Sequence, residues 1–188
     1  MSYTELYIVP KEGSLRPFTE FQNAYGGAWF VWNAMYEAYE KRPGEFMHQD
    51  SVLKRVWDLW KDERTEFFEK AVMGSTFDRV MVRREHWPLL AECMEMFYKK
   101  HYDPAKGVVC SIGTQARVLK ELFEKAPEDI VAVCWNQTSV NGGYWYVPNE
   151  NAPDDDDEES EEENERGYDI SKDKKDHWFL FDELEIPE

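Results

Sequence analysis

The chain has 188 residues, a formal net charge of −17, 15% aromatic residues and three cysteines, a size that forms one domain and buries a core without covalent staples. The odd count and wide spacing of Cys93, Cys110 and Cys134 exclude a disulfide framework and a CxxC zinc site, and no run of about 18 apolar residues offers a membrane span. The segment MSYTELYIVPKEG lacks the basic and apolar regions of a signal peptide, so the expectation is a cytoplasmic protein with buried thiols, without a cofactor and without a membrane partner.

The charge is unevenly placed. Residues 154–165, DDDDEESEEENE, carry ten acids and no base, and residues 154–188 hold 17 acids against four bases, leaving 22 acids and 18 bases before them. A phosphate mimic needs acids spread over a folded surface, so that reading loses most of its support, and the field of the whole chain disfavours direct nucleic-acid binding.

In chain order, TELYIV reads as a first strand stopped by Pro10 and Gly13. Phe18, Phe21, Tyr25, Trp29, Trp32, Tyr36 and Tyr39 recur at spacings of 3, 4, 4, 3, 4 and 3, which predicts one helix with seven rings on its inner face. Pro17 or Thr19 opens it and Pro43-Gly44 closes it, although each glycine of Gly26-Gly27 costs about 1 kcal/mol in a helix. Asp50 or Ser51 caps a second helix with Leu53, Val56, Trp57 and Trp60 inward, continuing through Phe67, Phe68 and Ala71 to Gly74-Ser75. FDRVMVRR predicts a strand at residues 78–83, and Pro88 starts a third helix with Leu89, Leu90, Cys93, Met96 and Phe97 on its apolar side. The next stretch reads as one βαβ crossover: a strand at residues 108–110, a helix capped by Thr114, and a strand at residues 130–135. A hairpin turning at Asn141-Gly142 follows, and residues 153–166 read as a disordered acidic loop inside the domain. HWFLFD, residues 177–182, alternates as a final strand. The fold expectation is α+β: a single domain over residues 1–188, its antiparallel or mixed sheet covered by about four helices.

His48, His86, His101 and His177 stand singly without metal-ligand spacing, no nucleophile elbow surrounds a serine, and neither GVVCSIGT nor AYGGAW completes a phosphate-binding loop. No catalytic or metal-ligating residue is therefore assigned. The candidate binding residues are Asn136, Gln137, Thr138, Ser139, Asn141, Tyr144 and Trp145, because amides and hydroxyls beside rings make directional bonds at low ordering cost. Their bland alternative is hairpin-end polarity bonded to local backbone. Arg79, Arg83 and Arg84 form a secondary candidate for docking an acidic partner, against the alternative of a solvated strand face paired with acids.

The segments FQNAYGGAWFVWNAMYEAY and VCWNQTSVNGGYWYV resemble small uncharacterised proteins encoded in bacteriophage genomes, which share an N-x-x-G-G-A-x-x-x-W-like segment and a TSV-type turn. That resemblance implies an accessory protein that binds and inhibits a host enzyme or defence complex, with no catalytic residues to carry over. The expected function is thus a non-enzymatic protein-binding module whose host partner has a basic surface. The alternatives are a small-molecule-binding or hydrolytic enzyme with a pocket near residues 130–147, and an acidic nucleic-acid mimic.

Overall fold

A computed structural model describes residues 2–12, 15–23, 27–47, 49–77, 80–106, 110–137 and 177–187. The predicted acidic loop at residues 153–166 lies outside these. The fold is α+β, as expected. Strands β1 (Ser2–Pro10), β2 (Arg16–Asn23), β3 (Val80–Arg83), β4 (Ile130–Gln137) and β5 (Trp178–Phe179) form one sheet in the order β2-β1-β4-β3-β5. Only β3 and β5 run parallel; the other neighbours are antiparallel. The described α-helices are α1 (Ala28–Met35), α2 (Asp50–Asp58), α3 (Phe67–Gly74), α4 (Trp87–His101), α5 (Ile112–Lys125) and the short α6 (Leu180–Glu183).

Strand alternation sorts side chains between two clusters. Leu6, Val80, Val82, Val133 and Trp135 join the helices in the main core, while Tyr7, Val9, Met81, Ala132 and Cys134 form a smaller buried cluster with Leu15 and Phe179 packed against it. The aromatic-rich composition is used in the main core: Trp32 is 3% exposed and donates from Nε1 to Thr76 Oγ1 at 2.9 Å. Trp87 donates to the Val82 carbonyl at 2.9 Å, tying α4 to β3.

Four expectations are corrected. The predicted ring helix begins too early: Phe18 and Phe21 belong to β2, where a spacing of three in a period-two element sends them to opposite sides, and they are 47% and 5% exposed. The helix itself starts after Gly27, whose φ of 74° is unfavourable for any residue with a Cβ, and continues from α1 through a π-helical turn, Tyr36–Glu40. The second predicted helix is two, because Glu66 and Glu69 form a reciprocal capping box that starts α3 afresh. Among the described residues the predicted crossover does not form. Both edges of β4 are taken by antiparallel strands, so it has no parallel neighbour; Cys110 is not in a strand, and residues 108 and 109 lie outside the described ones. Its helix begins at Ile112, leaving Thr114 inside the first turn.

The last strand is also shorter than its alternation suggests. β5 pairs for two residues, Trp178 with Val80 and Phe179 with Met81, and then turns into α6. Helical geometry brings the consecutive Leu180 and Phe181 both into the core, which a strand would send to opposite faces. Leu180 packs so closely on α3 that a Cβ at Gly74 would stand 2.3 Å from its Cδ1.

Candidate binding cleft

α1 and its π-helical turn, residues 45–47, and the C-terminal end of α4 with residues 102–103 enclose a cleft of about 890 Å³, within the ~300–1,000 Å³ usual for ligand sites. Trp29, Phe30, Tyr36, Phe46 and Met47 supply its apolar lining. These rings arrive by two local rules: Trp29 and Tyr36 from the helical repeat, Phe46 from the loop after Pro43-Gly44. Phe46 is 61% exposed, the most exposed of the large apolar side chains described.

Lys100 and His101, from the last turn of α4, line the same cleft and reach a buried carboxylate behind it. Glu69 is 0% exposed. Its Oε1 lies 2.7 Å from His101 Nε2 and 2.9 Å from Lys100 Nζ; its Oε2 accepts from the Tyr39 hydroxyl at 2.6 Å and the Glu66 amide at 3.1 Å. Burial alone would raise this carboxyl, but the bonds from His101, Tyr39 and Lys100 outweigh it and hold Glu69 at about 2. Tyr39 is raised, chiefly by burial and then by its bond to Glu69. Burial acts to lower Lys100, yet its bonds to Glu66 and Glu69 keep it above the usual lysine value. The His101 ring also stacks on Phe97, with centroids 4.5 Å apart.

A carboxylate offers about four acceptor directions, and all four are used. A carboxyl near 2 is also a weak general base at neutral pH, so this group orients and anchors its neighbours. The thiols are no more reactive: burial pushes Cys93 and Cys110 up to about 12 and raises Cys134 as well. Among the described residues no group of three or more His, Cys, Asp or Glu could hold a metal ion, and no helix is long and apolar enough to cross a membrane.

The sequence-selected residues fall elsewhere. Asn136 and Gln137 are in β4, paired with Glu5 and Thr4 of β1, so the polar stretch begins inside the sheet. Thr138, Ser139, Asn141, Tyr144, Trp145 and Arg79 lie outside the described residues. Arg83 and Arg84 are described and internally engaged. Arg83 lies 3.8 Å over the Phe179 ring and grips Asp182 with two nitrogens, Nη2 to Oδ2 at 2.7 Å. Arg84 donates to the carbonyls of Phe123, Ala126 and Pro127 at the end of α5. Arg83 is thus paired with an acid, whereas Arg84 serves the carbonyls that end α5.

The cleft was missed because its parts are far apart in sequence: Phe46, Glu69 and His101 carry no shared motif. Glu66 is not among the residue types that announce an N-cap, and Lys99-Lys100-His101 suits any helix C-terminus; neither announces that the two meet. Comparison with protein-family models, with curated proteins and with solved structures finds no match.

Proposed function

We propose that the chain is a non-catalytic, cytoplasmic protein-binding module, of the kind that phages encode to bind and inhibit a host enzyme or defence complex, and that this cleft is its principal contact surface. The observation that carries the reading is the pairing of an exposed aromatic, Phe46, and a cleft lined by rings with a polar cluster whose carboxylate is already saturated by the protein's own donors. Apolar area is available for a partner, while the titratable cluster beside it is occupied in holding α3 to α4. The candidate residues 136–145 would supply a further contact through their amides, hydroxyls and rings, and the acidic residues 154–165 would steer a partner with a basic surface.

The test is capture from bacterial lysate with the intact chain and with Phe46→Ser. A stoichiometric partner that binds the native chain and is lost with Phe46→Ser supports the reading, whereas retention undiminished by that substitution removes the cleft from it. The enzymatic alternative has one observation in its favour, an imidazole held by a carboxylate at a cavity wall. It requires turnover of an ester or phosphodiester panel that His101→Gln abolishes without altering the fold.

A further inference from the structure

The charges around the cleft are not equivalent, and their pairing points to the chemistry of what enters it. Both lysines in the lining already have an anion: Lys41 meets Glu37 at 2.6 Å, and Lys100 meets Glu66 at 2.8 Å and Glu69 at 2.9 Å; His101 Nε2 lies 2.7 Å from Glu69 Oε1. Of the acids in the lining, Glu37 and Glu45 are engaged by Lys41 and Arg55. Asp103 has no cationic partner among the described residues; its Oδ1 accepts only the Ala105 amide, at 2.9 Å.

Two helix ends add to this asymmetry. α4 ends at His101, and the helical run through α1 and the π-helical turn ends at Glu40, so residues from the C-terminal ends of both border the cleft. Helix C-termini carry about half a negative charge each. Trp29, Phe30, Tyr36 and Phe46 line the cleft, and aromatic rings attract cations over their faces rather than anions.

We infer that the cleft takes a cationic side chain with an apolar stem, a lysine- or arginine-type group of a partner protein, its stem among the rings and its charge near Asp103. This deepens the binding reading and rests on it. An anionic or neutral apolar group would leave Asp103 without a counter-charge.

The test uses three probes of nearly equal shape, 2-phenylethylammonium, 2-phenylethanol and phenylacetate, titrated into the intact protein while amide chemical shifts are followed. The expected result is shifts at residues 45–47 and 100–103, with the ammonium binding about five- to tenfold tighter than the alcohol. That factor follows from ~1 kcal/mol between unit charges ~4 Å apart in water, together with a modest cation–π contribution. The carboxylate should bind more weakly than the alcohol. Asp103→Asn, which keeps an acceptor for the Ala105 amide, should shrink the ammonium advantage to within about twofold and leave the alcohol unchanged.

Equal binding of ammonium and alcohol, preference for the carboxylate, an Asp103→Asn variant that keeps the full preference, or shifts confined to other regions would each overturn the inference. Failure here is separable from failure of the proposed function. A partner captured through Phe46 alongside probes that bind equally defeats only the cation preference; an ammonium preference without Phe46-dependent capture defeats only the protein-binding module.

Discussion

Glu69 lies fully buried where α3 meets α4, with four donors on its two oxygens, whereas the Asp182 side chain is 50% exposed and meets the guanidinium of Arg83 beside β5. Both are carboxylates held below their ordinary range, Glu69 at about 2 against burial and Asp182 by the Arg83 bond. The consequences differ because solvent screens one and not the other. A buried carboxylate stripped of its charge leaves several donors without their anion, while an exposed pair that is broken is rehydrated. The same pairing chemistry is thus a structural joint in one place and little more than a clasp in the other.

The comparison breaks most visibly at Glu69→Gln, which keeps the shape but removes the anion facing Lys100 and His101. A loss of about 3 kcal/mol is expected, seen as a fall in melting temperature of roughly 6–12 °C for a chain of this length. A fall of only a degree or two would place Glu69 with the surface pairs.

Acid titration tests the same joint without mutation. Because the folded Glu69 value of about 2 lies below the ordinary 4.5, its stabilisation is fully present above the ordinary value and is lost as pH falls through the folded one. Chemical denaturation at several pH values should therefore show stability declining between about pH 5 and pH 2 by ~3 kcal/mol from this group. In Glu69→Gln that decline should be shallower by the same amount. Parallel pH profiles for the two proteins would assign the acid sensitivity to other carboxylates.

Arg84 stands between the extremes, since its guanidinium bonds the Ala126 carbonyl at 2.8 Å and the Phe123 carbonyl at 3.2 Å at the exposed end of α5. Arg84→Ala should cost about 1–2 kcal/mol by leaving helix-end carbonyls to water, with faster amide exchange confined to residues 123–130. Asp182→Asn should have the smallest effect, under about 1 kcal/mol and vanishing in molar salt. An effect of Asp182→Asn that persists in molar salt would show that the clasp holds α6 by packing rather than charge.

Legibility of the fold follows the range of the interactions. β1, β3, α4 and the start of β4 were readable because alternation, Pro88 and the apolar repeat act within a few residues. The helix through Trp29, Trp32 and Tyr36 was readable for the same reason, but Phe18 and Phe21 fitted its repeat by coincidence and were drawn into β2 by pairing with β1. HWFLFD likewise alternated, yet β3 offers β5 only two partners, and the buried sites beside α3 favour the helix that brings Leu180 and Phe181 inward together.

The candidate site divides in the same way. The arginines were visible as a cluster, but whether they face a partner or the protein depended on Asp182, 99 positions away from Arg83, and on the carbonyls that end α5. The sequence by itself determined the α+β class, the ring-rich core and the exile of negative charge to residues 154–165, because composition and short-range periodicity carry those properties. Only the tertiary structure decided that Glu69 and His101 would meet, that Phe46 would remain exposed beside the cleft, and that Asp103 would have no cation among the described residues. Those outcomes depend on which helix ends converge, and convergence is set by packing around the sheet rather than by any local signal.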